Sequence, residues 1–340
     1  MSIDWEQLPD ARAKKKDRAN YKKSLRASAS KTSQSSVISE LPEGSLLGIL
    51  VTIHKNRVEI VINHERCEGV FSPALLAQGI TDFAVGDYVV CTPSPDGSLL
   101  VLGRTERTSF IARARSDRTR NKITRHVLAA NVDVGVITVA VKDPALHTQF
   151  IDRYLVLLED GDVKPVICVT KTDLVSEEPV SLDVYKEMGI PVIETSFKTR
   201  AGIEELKKVL FGKTSVFIGQ SGVGKSSLIG LLAPHEDIAT GEVNNRTGKG
   251  THTTTGSNLY EWAENSFIID TPGVRSLGME VVRKEEIRLL FPEFAEFAAK
   301  CKYHDCLHVE EPRCAVREAL KKTGMLGARR YDSYVRMMQE

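Results

Sequence analysis

Eight residues, Gly219-Gln220-Ser221-Gly222-Val223-Gly224-Lys225-Ser226, set the tightest limit on how this 340-residue chain can fold. They fit GxxxxGK[ST] and lie between an apolar run, SVFI (215–218), and the segment KSSLIGLL (225–232). A loop that curls its N–H groups around an anion needs glycine at its turns and a helix N-terminus behind it. A strand must therefore enter the motif and a helix must leave it. Lys225 is expected to reach β- and γ-phosphate oxygens, and the Ser226 hydroxyl to ligate Mg²⁺, with Ser227 beside it in the first helical turn. The pattern implies a nucleoside triphosphate site.

The flanking chain has the matching rhythm. From about residue 126, short apolar runs alternate with amphipathic segments: GVITVAV (135–141), FIDRYLVLLED (150–160), KPVICVT (164–170), PVIETS (191–196), GIEELKKVL (202–210) and TSVFIG (214–219). NLYEW and SFIID follow as two further strands. Strand–helix alternation of this kind predicts a parallel, doubly wound α/β sheet.

Two further loops point to guanine. FIIDTPG (267–273) is an apolar strand ending in DxxG, in which Asp270 can hold a Mg²⁺ water and the Gly273 N–H can meet the γ-phosphate. Thr170-Lys171-Thr172-Asp173 fits [NT]KxD, whose carboxylate accepts from guanine N1–H and the 2-amino group. Ser196-Phe197-Lys198 matches the loop that closes over guanine O6. Ordinary GTPases place the base-reading loops after DxxG, whereas here they precede the phosphate loop. Cutting a doubly wound sheet at a surface loop and rejoining its termini keeps the site intact, so the order predicts a circular permutation. Whatever follows DTPG is then tethered to the second switch.

The rest of the chain divides by composition. The total of 46 Lys+Arg against 45 Asp+Glu, with 41% hydrophobic and 27% charged residues, excludes a mostly disordered or collagenous protein, but it hides blocks. Residues 11–31 hold nine Lys/Arg and one Asp, and a Ser-rich stretch follows. Residues 1–40 therefore read as a disordered basic arm, either touching nucleic acid or solubilising the chain. Residues 44–104 carry five short β-rich runs with a helix-like PALLAQG between them, which suits a small OB- or SH3-like barrel. Such a barrel binds oligonucleotides or serves as a docking module. Residues 104–125 hold eight Lys/Arg against two acids and are expected to extend an RNA-facing surface beside it. No apolar run approaches the roughly 18 residues of a membrane span, and the acidic N-terminus lacks a secretory h-region. A cytoplasmic protein is expected.

The cysteines are unevenly placed. Cys67, Cys91 and Cys168 lie in apolar stretches and are expected to be small buried hydrophobes. Cys301-x4-Cys306-x-His308-x5-Cys314 supplies three thiols and an imidazole, either a closed structural zinc set or reduced buried cysteines. His304 is expected to be exposed rather than a ligand.

Taken together, AANVD (129–133), IDRYL (151–155), GQSGVGKSSL, HTTT (252–255), DTPGVR and CAVREA make the chain resemble the RsgA family, also called YjeQ. These are circularly permuted bacterial GTPases of small-ribosomal-subunit assembly. The resemblance implies a multidomain protein with an OB-type β-barrel, a permuted α/β P-loop GTPase and a mostly α zinc-binding domain. The expected boundaries are 1–40 for the arm, 41–110, 111–280 and 281–340. It also implies one structural Zn²⁺ on Cys301, Cys306, His308 and Cys314, Mg²⁺ with GTP or GDP, and docking on the 30S subunit and its 16S rRNA, with a monomer expected. The first switch is placed at 233–256, with Thr254 as its Mg²⁺ ligand. Val274 follows DTPG where related enzymes carry a water-orienting Gln, so slow intrinsic hydrolysis, stimulated by the ribosome, is expected. His252 either supplies the missing polar group or packs in the switch. Most members have Asn where this chain has Thr170, and a small residue where it has Phe197. Two other classes of function compete with an RNA-docked GTPase: a nucleotide-stabilised RNA-binding module, and a P-loop ATPase.

Overall fold

The computed structural model describes residues 36–77, 82–117, 122–174, 181–234, 257–270, 282–323 and 328–340. The barrel comes first. Strands β1 (Leu46–His54), β2 (Arg57–Ile62), β3 (Glu65–Phe71), β4 (Tyr88–Pro93) and β5 (Leu99–Arg104) close in the order β1-β2-β3-β5-β4, and β4 returns to β1. Helix α1 (Pro73–Ala77) bridges β3 and β4. Only β3 and β5 pair in parallel, Gly69 opposite Leu99, and this crossover gives the OB-type topology. Leu50, Val58, Ile60, Phe71, Val89, Cys91 and Val101 fill the interior. Fully burying an aliphatic side chain contributes roughly 1.5–3 kcal/mol, so these residues hold the small barrel closed.

The basic block after β5 behaves differently from expectation. Arg104 and Arg107 are buried, and Arg107 clamps the fully buried Asp87 with two bonds of 2.7 Å. Arg104 donates to Asp82 at 3.0 Å. Burial disfavours the Arg107 charge, but the carboxylates of Asp87 and Asp82 outweigh it and hold its pKa above the ordinary value. Two of the eight basic residues thus brace the barrel instead of facing RNA. The next residues form a hairpin of β6 (Phe110–Asp117) and β7 (Lys122–Ala130). Arg113 is exposed on it, and Arg125 pairs with Asp160 at 3.2 Å.

The hairpin leads into a six-stranded sheet of order β10-β9-β8-β11-β13-β12. Its strands are β8 (Val134–Ala140), β9 (Lys164–Thr170), β10 (Val192–Glu194), β11 (Thr214–Ile218), β12 (Asn258–Ala263) and β13 (Ser266–Asp270). Every residue of β8 is buried, as a central parallel strand covered on both faces requires. The sheet is parallel except for β12, which runs antiparallel to β13 because only Glu264 and Asn265 separate them. A two-residue connection makes a hairpin, whereas a parallel crossover needs a dozen or more residues. Helices α2 (Thr148–Asp160), α3 (Asp183–Glu187) and α4 (Ile203–Leu210) connect the parallel strands β8 to β11, and α5 (Lys225–Leu232) follows β11.

The C-terminal part is built from α6 (Lys284–Ile287), α7 (Ala295–Ala298), α8 (Ala315–Thr323) and α9 (Ala328–Gln339). Phe291, Phe294 and Tyr334 form its aromatic centre, with ring centroids 4.9–5.1 Å apart. A continuous apolar core runs from Val51 and Val61 in the barrel through the sheet to Tyr334 and Met337 in α9. Among the described residues, no helix is long and apolar enough to cross a membrane.

Candidate functional site

The phosphate loop leaves the C-terminal end of β11, which lies between β8 and β13. From β11 the chain continues to β13 on one side, while β8, β9 and β10 extend on the other. Ligands of open α/β sheets bind outside the carboxyl ends of the strands at such a switch in direction. Gly219 has φ of +146°, and a Cβ there would lie 2.2 Å from the Thr138 carbonyl oxygen of β8. Only glycine lets the loop lie flat against the neighbouring strand. Val223 is 1% exposed and pins the middle of the loop into the core, which leaves Ser221 and Gly222 outermost. The Lys225 ammonium donates to the Gly219 carbonyl at 2.7 Å and to that of Gln220, lying across the loop it serves. Ser226 is half-buried and Ser227 exposed. This cradle of glycines and N–H groups fits a phosphate chain.

The base-reading loops converge on it. Asp173 is exposed, and the buried Ser196 hydroxyl donates to its Oδ1 at 2.6 Å while accepting from the Thr199 N–H at 3.2 Å. This holds the carboxylate in one rotamer, with its other oxygen available to a base edge. Lys171 is half-buried and donates to the Asp143 carbonyl. Lys198 is exposed. Thr170 is fully buried, and its hydroxyl donates to the Val223 carbonyl at 2.6 Å. The Phe197 ring lies against Gly224, where a Cβ would come within 2.7 Å of two ring carbons. Asp270 ends β13, half-buried, on the far side of the phosphate loop. His252, Thr254, Gly273 and nearly all of the first switch lie outside the described residues.

The second site is the cysteine cluster. The four ligand atoms of Cys301, Cys306, His308 and Cys314 lie within 4.8 Å of one another. The His308 Nδ1 is 3.5 Å from the sulfurs of Cys301 and Cys314, which are 4.0 Å apart. Tetrahedral zinc with ordinary bond lengths requires about 3.8 Å between sulfurs and about 3.6 Å between sulfur and nitrogen. The set fits one Zn²⁺ with a closed coordination sphere. Tyr331 donates to the His308 carbonyl at 2.7 Å and Tyr334 to that of Leu307, so α9 fixes the ligand loop. His304 is exposed and outside the cluster, as expected. Burial pushes the Cys91 and Cys168 thiols up to about 12, which leaves them as neutral small hydrophobes.

The family described as RsgA GTPase matches residues 104–280, just over half the chain. This chain belongs to the RsgA GTPase family. The RsgA relative of Chlorobaculum parvum, a small ribosomal subunit biogenesis GTPase, is 36% identical over 280 residues, covering 80% of this chain and 90% of its own. That of Yersinia enterocolitica is 34% identical over 335 residues, covering 94% and 91%. Among solved structures, YjeQ from Thermotoga maritima superposes with a TM-score of 0.69 at 32% identity, covering 87% of this chain and 98% of its own. YloQ, a circularly permuted GTPase, gives 0.68 at 28% identity, covering 87% and 95%. As an RsgA-family enzyme this protein hydrolyses GTP, and the strand order above is the permuted one expected from its motifs.

Two of the segments that carried the resemblance join separate parts of the fold. In AANVD, the Asn131 amide donates to the Gly86 carbonyl at 2.9 Å and accepts from the Thr108 N–H at 3.0 Å, tying barrel to sheet. Asp133 accepts from the Thr214 N–H at 2.9 Å, at the start of β11. In IDRYL, the buried Asp152 accepts from Arg330 of α9 at 2.7 Å and from Tyr185 at 2.8 Å. Nothing local in the sequence paired these residues, since 178 positions separate Asp152 from Arg330. An Asp on the apolar stripe of α2 was the one visible signal that a buried partner had to exist.

Proposed function

We propose that this RsgA-family GTPase docks on the 30S ribosomal subunit, contacts 16S rRNA and acts late in small-subunit maturation. The observation that carries this is coverage: the Yersinia enterocolitica relative, named small ribosomal subunit biogenesis GTPase, aligns with 94% of the chain, which leaves too little unmatched to omit either the barrel or the cysteine-bearing cap. In this reading the chain divides into a basic arm (1–40), barrel (41–110), GTPase (111–280) and zinc cap (281–340), a division supported by barrel strands that end at Arg104 and a cysteine cluster that begins at Cys301. Within the site, Gly219 to Gly224, Lys225, Ser226 and Ser227 hold the phosphates and Asp173 reads guanine. Lys171 and 196–198 frame the base, and Ser226 and Thr254 hold Mg²⁺, with Asp270 and Gly273 on the γ-phosphate side. His252 is the candidate for the polar group near the attacking water. One structural Zn²⁺ sits on the Cys301, Cys306, His308 and Cys314 set. The protein works as a cytoplasmic monomer, with the positive arm and the exposed Arg113 on the RNA side.

Intrinsic turnover is slow because Val274 cannot orient water, and the subunit raises it by ordering the switches. Phosphate release from GTP and from ATP, each with and without 30S subunits, tests the reading. Turnover of GTP alone, stimulated by 30S, is expected. Turnover indifferent to 30S would point to a nucleotide-stabilised RNA-binding module, and equal use of ATP would overturn the assignment of Asp173.

A further inference from the structure

Helix α9 carries a wider apolar arc than the core beneath it uses. Tyr334 and Met337 face inward and are buried, whereas Tyr331 and Val335, next to them around the helix, are half-buried. Together with Leu320 of α8 and Val309 of the ligand loop, they floor a groove of about 770 Å³ whose base is continuous with the core. The floor is preformed, because the Tyr331 hydroxyl donates to the His308 carbonyl at 2.7 Å and so fixes its ring. The rim is cationic. Arg317, Lys321 and Arg336 line it against one acid, Asp332, and among the described residues no ion pair engages those three cations. An apolar floor under unpaired cations calls for apolar side chains interleaved with carboxylates.

Residues 1–10, MSIDWEQLPD, have that chemistry. They precede the basic stretch 11–31 and are opposite to it in sign, with Asp4, Glu6 and Asp10 and no Lys or Arg. Apolar and acidic residues alternate at Ile3-Asp4-Trp5-Glu6, so an extended chain puts Ile3 and Trp5 on one side. The segment lies outside the described residues, which begin at Ser36, where the Ser36 carbonyl accepts from the Arg104 N–H of the barrel at 2.7 Å. Residues 11–35 can span up to about 80 Å, against a diameter of roughly 50 Å for a compact chain of this length. The tether therefore reaches the groove.

We propose that residues 1–10 dock in the groove between α8 and α9 of the same chain. Ile3 and Trp5 cover Leu320, Tyr331 and Val335, and Asp4 and Glu6 meet the long side chains of Lys321 and Arg336 on the rim. The basic stretch 11–31 is then held at both ends, by Ser36 on the barrel and by residues 1–10 on the cap. It runs along the protein as a positive band instead of trailing from it. That use of the contact rests on the rRNA docking proposed above, whereas the contact itself does not.

The test reads Trp5 fluorescence in the full-length, zinc-loaded protein carrying Trp262→Phe, which leaves Trp5 as its sole tryptophan. Docking predicts emission to the blue of a free peptide of residues 1–10 and acrylamide quenching several-fold weaker than the peptide's. Lys321→Glu/Arg336→Glu, at two exposed positions, should return both readings to the peptide's values. Adding Asp4→Lys/Glu6→Lys should then restore the protection, because the ion pairs re-form with their signs exchanged. Should Trp262→Phe fail to fold, Trp5→benzoylphenylalanine in the otherwise native chain should photo-cross-link to residues 309–339. Trp5 quenched as readily as the peptide, or protection untouched by the rim reversal, would overturn the docking. Protection that grows with protein concentration would also do so, since it places the segment on a second copy. A rim reversal that weakens 16S rRNA binding without exposing Trp5 would instead make the groove a phosphate site and refute the proposal. GTP turnover stimulated by 30S with Trp5 fully exposed would sink this contact and leave the proposed function standing, and absent stimulation with Trp5 protected would do the reverse.

Discussion

Replacing Arg330 with Ala should release the C-terminal cap from the GTPase sheet. The guanidinium is 3% exposed and bonds Asp152 (1% exposed) at 2.7 Å and Glu293 (12% exposed). It also lies 4.7 Å above the Phe291 ring. Burial disfavours its charge, yet the carboxylates of Glu293 and Asp152 more than offset this and raise its pKa. Among the described residues, Asp152 Oδ2 and Glu293 Oε2 are buried without a hydrogen-bond partner, so Arg330 offsets both carboxylate charges, with the Tyr185 hydroxyl as a second, neutral donor to Asp152. Removing one member of a buried ion pair costs about 3–5 kcal/mol, because the remaining charge stays desolvated. The lost ring contact adds about 1 kcal/mol. A loss of about 4–6 kcal/mol is a large part of the stability of an ordinary domain. Urea denaturation of the Arg330→Ala protein, followed by circular dichroism and by proteolysis of the segment before α6, should show the cap unfolding or detaching first. The charge-free triple variant Arg330→Met/Asp152→Leu/Glu293→Met should regain most of the loss, since well-packed apolar replacements of a whole buried ionic cluster are often neutral. A cost for Arg330→Ala below about 1 kcal/mol, or a triple variant no better than the single, would refute the view that this cluster holds the cap.

Metal analysis should find one zinc per chain, and chelation or Cys314→Ser should unfold the cap while leaving the barrel's β-signal in circular dichroism, because a structural site contributes its binding energy to folding. Ser196→Ala frees the Asp173 carboxylate and should weaken GTP about three- to tenfold in equilibrium titration, without raising affinity for ATP. Gly224→Ala places a Cβ 2.7 Å from the Phe197 ring at a φ of +98°, and should abolish measurable GTP turnover in a folded protein. Asn131→Ala removes the amide between Gly86 and Thr108 and should lower stability by about 1–3 kcal/mol in urea melts, with the barrel separating from the sheet.

Much of this protein was legible along the chain because the relevant physics is local. Glycine spacing, a strand before and a helix after identified the phosphate loop, and alternating apolar runs located all five barrel strands and most of the sheet. Cysteine and histidine spacing picked out the four side chains that the fold brings within 4.8 Å of one another. The motif order also carried the permutation, since which strand bears which loop is written in sequence. The antiparallel β12 was within reach too, from the two residues that separate it from β13.

Charge could not be read the same way. A basic run looks solvated until its carboxylates are known, and Arg107 finds Asp87 only when the barrel closes. Arg330 meets Asp152 only when α9 docks on α2. Thr170 looked like a base reader by position, and only the packing of β9 beneath the phosphate loop turns its hydroxyl toward Val223. The sequence by itself determined which chemistries are present and which segments carry them. The tertiary structure decided which charges are buried and which two loops share a contact, because desolvation and hydrogen-bond direction depend on neighbours that lie tens to hundreds of residues away.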